Sequence, residues 1–137
     1  TVDWRWEADH PVLKTVRHFL ACYFSGKAAT PDIRLAPAGS PFRQTVWNIL
    51  STIPIGQVVT YGQIAKQIAD ARRVPSMSAQ AVGSAVAHNP ISILIPCHRV
   101  VGFNGGLTGY AGGLERKAEL LRIEKEISIC SGNGVQR

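Results

Sequence analysis

Apolar residues recur along this chain at helical spacing, in blocks separated by turn-forming residues. Val12, Val16, Phe19, Leu20 and Tyr23 share one face of a helix predicted from Pro11 to Gly26, with proline suited to the first turn and glycine to the stop. Lys27 to Gly39 holds Pro31, Pro37 and several small residues, and reads as a linker. Ser40-Pro41 then opens a second helix, a cap residue followed by a first-turn proline. Its apolar face is Phe42, Val46, Ile49, Leu50 and Ile53, and Pro54 ends it. Gly56 permits a turn, and Val58-Val59-Thr60 reads as a short extended piece.

Thr60 can cap a third helix in which Ile64, Ala65 and Ile68 share a face. A turn region from Asp70 to Pro75 carries Arg72 and Arg73, and a fourth helix of small residues runs roughly from Ser78 to His88. Two short helices joined by a turn fit a helix-turn-helix, and equally a helical hairpin packed in a core. Asn89-Pro90 breaks the pattern. The apolar run Ile91 to Ile95 predicts a buried strand or extended segment leading into Pro96-Cys97-His98-Arg99. A last helix is expected from Leu114 to about Glu126, with Leu114, Ala118 and Leu121 inward and Leu120 and Ile123 widening the stripe. The polar stretch from Ser128 predicts a frayed tail.

Hydrophobic residues make up 45% of the 137 positions and charged ones 18%, which supports a packed core and excludes a disordered chain. The formal net charge of +6 points to a polyanionic partner, nucleic acid or an acidic membrane surface. Three cysteines without a CxxC pair argue against a disulfide framework or a zinc knuckle, and suit a reducing cytosol. No run is long and apolar enough to cross a bilayer, and Thr1 to Asp9 lacks the pattern of a signal peptide.

The candidate chemistry centres on Cys97. A cysteine attacks as thiolate, which requires a base or positive charge nearby, and His98 and Arg99 offer both types. On a regular strand His98 would point away from its neighbour, so the pairing requires irregular backbone around Pro96. Glycines at positions 102, 105, 106, 109, 112 and 113 bring backbone close to a ligand and could wall a pocket, with Tyr110 as its lid. A buried structural cysteine beside a surface Ω-loop fits the same residues.

Pro96-Cys97-His98-Arg99-Val100 resembles the active-site pentapeptide of the O6-alkylguanine-DNA alkyltransferases. Ile53-Pro54, Thr60-Tyr61-Gly62, Ala81-Val82-Gly83, Asn89-Pro90, Tyr110 with Gly112-Gly113, and Leu120-Leu121 ahead of Glu124 match the same family in order and spacing, from about Pro41 to Glu124. The resemblance implies an α+β, mostly helical fold: a winged-helix-like, helix-turn-helix DNA-binding core at 40–127, a reduced or truncated N-terminal α/β domain at 1–39, and a flexible tail at 128–137. It implies repair of double-stranded DNA containing O6-alkylguanine. The base is flipped out and its alkyl group moves irreversibly to Cys97, once per protein. No cofactor and no metal are implied, and a cytoplasmic monomer without membrane contact is expected.

The same resemblance assigns roles. His98 takes the Cys97 proton through a water, and Glu124 holds the imidazole. Tyr61 hydrogen-bonds the guanine ring, and Asn89 ties the recognition helix to the active-site segment. The carbonyls of Cys97 and Val100 accept from the guanine amine, the Ala111 N–H donates to O6, and Tyr110 walls the pocket. Gln80, Ala81 and Gly83 face DNA. Family members commonly carry arginine where this chain has Gln80, a shorter and uncharged stacking partner, so Arg72 and Arg73 are expected to supply phosphate contacts. Non-catalytic alkyltransferase-like recognisers replace the acceptor cysteine, whereas Cys97 is kept here. A cysteine hydrolase would need an oxyanion hole, which no motif indicates.

Overall fold

The computed structural model describes residues 10–27, 33–107, 110 and 113–135, the stretch 130–135 by its backbone only. The first helix, α1 (Pro11–Phe24), starts where the His10 ring accepts from the Val12 N–H at 3.1 Å. Gly26 follows it at φ +86°. Of the face expected to be apolar, Phe19 and Tyr23 are buried, while Val12 is 45% exposed.

Helix α2 (Pro41–Leu50) is capped by Ser40, whose hydroxyl accepts from the Arg43 N–H. It ends at Leu50, short of Pro54, because Thr52 and Ile53 turn their N–H groups back to Ile49 and Leu50. Trp47 is its main anchor: the ring is buried and Nε1 donates to the Ala85 carbonyl at 2.9 Å. Gly56, at φ +83°, turns the chain against the last helix; a Cβ there would lie 2.4 Å from Ser128 Cβ.

Strand β1 (Val59–Thr60) runs directly into α3 (Tyr61–Arg72), and Thr60 and Gln63 form a reciprocal capping box at the junction. Ile64, Ala65, Ile68 and Ala69 bury the inner face of α3. Arg73 stops the helix in the left-handed conformation, φ 57°. Ser78 then caps α4 (Ala79–Ala87), which packs on α3 and α2. This is the helix-turn-helix, and Val46, Leu50, Ile68, Val82 and Val86 form its core.

The run Ile91 to Ile95 is not extended. Leu94 N–H bonds the Ser92 carbonyl at 2.8 Å, Ile95 N–H bonds the Ile91 carbonyl, and Ile93 sits at φ 70°. The reason is local. The Asn89 side chain accepts from the Ile91 N–H and donates to the Ile95 carbonyl at 2.8 Å, so it closes the segment into a compact turn. A single 3₁₀ turn, Cys97–Arg99, follows and feeds β2 (Val100–Val101), which pairs in parallel with β1, Val59 opposite Val100.

Helix α5 (Leu114–Val135) continues past Glu126, and its backbone stays helical where a tail from Ser128 was expected. Ile127, buried to 1%, anchors the extra turn. The inward face matches the expected stripe at Leu120 and differs elsewhere. Lys117, Leu120, Glu124 and Ile127 are buried, whereas Leu114 is 49% exposed. Leu120 and Ile127 join Phe19 and Tyr23 in a second cluster beneath α1. Among the described residues no helix is long and apolar enough to cross a membrane.

Candidate active site

The joint between the two hydrophobic clusters holds the polar residues. Asn89 leaves α4 and shapes the 91–95 turn, which hands the chain to Pro96 and Cys97. The Cys97 N–H bonds the Ile95 carbonyl at 2.8 Å, and the 3₁₀ turn keeps His98 inside instead of letting it alternate outward as on a strand. Cys97 is 6% exposed and His98 fully buried.

Glu124 reaches this turn from α5. It is fully buried, and His98 Nε2 shares a very short hydrogen bond with its Oε2. Tyr23 donates to Oε2 at 2.6 Å, and Arg99 donates from Nε to Oε1 at 2.7 Å and from Nη2 to Oε2 at 3.0 Å. Burial opposes ionisation of this carboxyl, but the bonds from His98 and Arg99 overcome it and bring it down to about 2. Burial, and then the bond to Glu124, push the Tyr23 phenol far up, so it stays a donor.

This arrangement sets the imidazole. A carboxylate ionised to about pH 2 only accepts, so in the neutral ring the hydrogen sits on Nε2 and Nδ1 keeps its lone pair. Nδ1 is buried and has no hydrogen-bond partner among the described residues. A buried acceptor one residue from a thiol is where a proton can be received, directly or through a water.

Burial pushes the Cys97 thiol up, while the Asn89 side chain and the charge of Lys117 favour its thiolate. The cation near the sulfur is therefore Lys117, not Arg99. Arg99 is spent on Glu124 and on the Ile53 carbonyl, 2.6 Å from Nη1. Lys117 is 1% exposed, its Nζ lies 5.8 Å from the Tyr61 ring centroid, and burial lowers its pKa. Sequence reasoning missed it, since a lysine on a charged helix reads as a solvated residue; only three-dimensional placement distinguishes it.

Tyr110 packs between both clusters, and its hydroxyl lies toward Ser92 and Cys97; burial, then the Cys97 charge, raise its pKa. The Val100 N–H bonds the Cys97 carbonyl, which leaves that oxygen one lone pair. Ala111 lies outside the described residues, as do 108, 109 and 112 of the glycine-rich segment. Tyr61 and Gly83 face one another across α3 and α4. Gln80 is exposed on the outer side of α4, beside Ala81. Arg72 and Arg73 sit apart, at the far end of α3, with the Arg72 guanidinium over the Phe42 ring at 5.6 Å. Cys22 is half-buried on α1, its Sγ 3.7 Å from His18 Nε2. No cluster of three or more His, Cys, Asp or Glu among the described residues could hold a metal ion.

Residues 41–126 match the family model described as "6-O-methylguanine DNA methyltransferase, DNA binding domain". A methylated-DNA–protein-cysteine methyltransferase of Methanosarcina mazei is 46% identical over 120 residues, 88% of this chain and 73% of that protein. The protein of the same name from Salmonella typhimurium is 53% identical over 106 residues, 77% of this chain and 59% of that protein. Mycobacterium tuberculosis OGT, solved in complex with DNA, superposes with a TM-score of 0.76 at 44% identity, covering 84% of this chain and 68% of that one.

Proposed function

The chain belongs to the 6-O-methylguanine DNA methyltransferase family, and on that premise we propose that it repairs DNA by moving the methyl group of O6-methylguanine to its own Cys97, once per molecule. The observation that carries this reading is the buried Cys97–His98–Glu124 array, in which a fixed carboxylate leaves His98 Nδ1 free to receive a proton. Core residues 40–127 do the chemistry, and a monomer acts on duplex DNA from which the damaged base has been turned out, because O6 is otherwise enclosed in the stack.

The exchange balances without a co-reactant. The thiol proton goes to His98 Nδ1, and the Cys97 sulfur displaces O6 from the methyl carbon in line. The S–C bond forms as the C–O6 bond breaks. Guanine leaves with that electron pair and, in the net reaction, gains one proton for the one the thiol lost. A thioether is a poor leaving group and no second thiol adjoins the site among the described residues, so the protein is spent after one turn.

Tyr61 faces the flipped guanine, and the carbonyls of Cys97 and Val100 with the Ala111 N–H read its edge. Asn89 holds the turn that aims the sulfur. Gln80, Ala81 and Gly83 on α4 meet the minor groove, and Arg72 and Arg73 hold phosphates. The test is a single-turnover reaction with duplex DNA carrying labelled O6-methylguanine, followed by peptide mapping. Label on Cys97 that stops at one methyl per protein supports the reading. Binding without transfer would make the chain a damage recogniser, and continued turnover a hydrolase.

Lys117 gives a second check. Lys117→Met is expected to slow transfer at neutral pH and to move the pH–rate profile to higher pH. The sign follows from charge: the ammonium favours the thiolate, so removing it raises the thiol further. A slowed reaction with an unmoved profile would show that Lys117 acts on packing alone.

A further inference from the structure

Phe103 is 99% exposed, at the tip of the turn that follows β2. Isolated apolar residues on a surface are ordinary, but two observations set this one apart. The turn is tied: Gly102 N–H bonds the Gly106 carbonyl at 2.8 Å, Gly105 N–H bonds the Gly102 carbonyl at 2.8 Å, and Gly106 N–H bonds Asn104 Oδ1 at 3.0 Å. Gly105 supplies the positive φ, +81°, that lets it close so tightly. The ring is thus held out in water by a built support, with no packing role in the core.

The ring also forms one wall of an open hollow of about 620 Å³, whose other walls are Tyr61 at the start of α3 and Gln80, Gly83 and Ala87 of α4. No charged side chain lines this hollow among the described residues. The face belongs to the helix-turn-helix of a chain with net charge +6, yet its centre offers two aromatic rings and small residues. Such a lining offers no cationic side chain to a phosphate. It fits the apolar surface of a nucleotide, the deoxyribose and base edge, against which aromatic side chains stack or wedge.

We propose that Phe103 is a DNA-contact residue that packs on the sugar–base surface of the minor groove across from Tyr61 and α4. The contact is continuous with the helix-turn-helix interface and rests on the DNA-repair reading above. It supplies, by apolar contact, affinity that the uncharged Gln80 on the same hollow does not draw from charge.

The test is the Kd for an unmodified duplex, which cannot consume the thiol, measured for the native protein, Phe103→Ala and Phe103→Trp over a range of salt. Phe103→Ala is expected to bind roughly tenfold more weakly, in line with the loss of one stacked aromatic. Its plot of log Kd against log salt runs parallel to the native one, because no phosphate contact is lost. Phe103→Trp binds within about twofold of native or tighter, and melting temperatures stay level because the ring is solvent-exposed. An unchanged Kd for Phe103→Ala overturns the proposal. So does a shallower salt slope, which would place the turn on phosphate. A native protein that binds no duplex at any salt overturns this proposal and the repair reading together, whereas native binding that Phe103→Ala leaves intact overturns this proposal alone.

Discussion

Cys97→Ala is expected to abolish methyl transfer and to leave duplex affinity within about twofold of native. The two effects separate because the sulfur and the docking surface sit on different elements. Cys97 is 6% exposed on the 3₁₀ turn between the clusters, while Gln80, Arg72 and Arg73 are exposed on α3 and α4. Alanine keeps the fold. The turn is held by the Asn89 bonds to Ile91 and Ile95 and by the Glu124 bonds to His98 and Arg99, none of which uses the sulfur. Removing one buried sulfur costs on the order of 1 kcal/mol of stability. The measurement is label transfer from duplex DNA carrying O6-methylguanine, alongside Kd for the same duplex. Residual transfer would shift attention to Cys22, which has its own histidine, His18, at 3.7 Å. That pair lies on α1, and among the described residues no carboxylate orients its imidazole as Glu124 orients that of His98. Loss of binding by a folded Cys97→Ala protein would show that the sulfur also shapes the docking face.

Where local chemistry decides structure, this chain is legible. Ser40, Thr60 and Ser78 are cap residues by type and caps in the fold, and Thr60 with Gln63 completes a capping box. The α3–turn–α4 unit follows from those caps and from Ile64, Ala65 and Ile68. The reading fails where a neighbouring polar side chain captures the backbone against the apolar pattern. Ile91 to Ile95 is apolar and β-branched enough for a strand, but Asn89 captures its backbone and curls it. In sequence, Asn89 is only a plausible helix stop.

The last helix fails more instructively. Periodicity assigns its core face to Leu114, Ala118 and Leu121, widened by Leu120 and Ile123, whereas Leu120 is buried together with Lys117, Glu124 and Ile127. Two of those four positions are charged, and the apolar stripe is sacrificed to them because the site requires an anion and a cation inside. Family resemblance supplied Glu124; residue type alone would have left it in solvent. Lys117 had no such signal and emerges only from its burial beside Tyr61 and its pull on Cys97. Conversely Arg99, adjacent to the sulfur in sequence, turns away to Glu124 and Ile53.

That turning-away makes Glu124 the residue whose loss should reach furthest, through both stability and chemistry. Glutamine at 124 has nearly the same shape, but its amide presents one oxygen and one NH₂. It cannot accept from Tyr23, His98 and both Arg99 nitrogens, as the carboxylate does. The Arg99 guanidinium, 12% exposed, loses its counter-charge, and breaking a buried pair from one side costs about 3–5 kcal/mol. The pH dependence carries a second signature. The folded carboxyl sits at about 2 and the unfolded one near the ordinary glutamate value, roughly 4.3. A depressed folded pKa contributes stability that is whole above about pH 4.3 and is lost as pH falls towards 2, about 3 kcal/mol in all. Native melting temperatures should therefore drop through that window, and Glu124→Gln should start lower and lack that component. Chemistry suffers for a separate reason. An amide N–H turned toward Nε2 forces the imidazole hydrogen onto Nδ1, and the acceptor for the thiol proton disappears. Transfer should fall about 10²–10⁴-fold even at temperatures where the variant is folded. A Glu124→Gln protein that transfers within twofold of native, with an unaltered acid limb, would show that Glu124 neither holds His98 in its working tautomer nor anchors the fold.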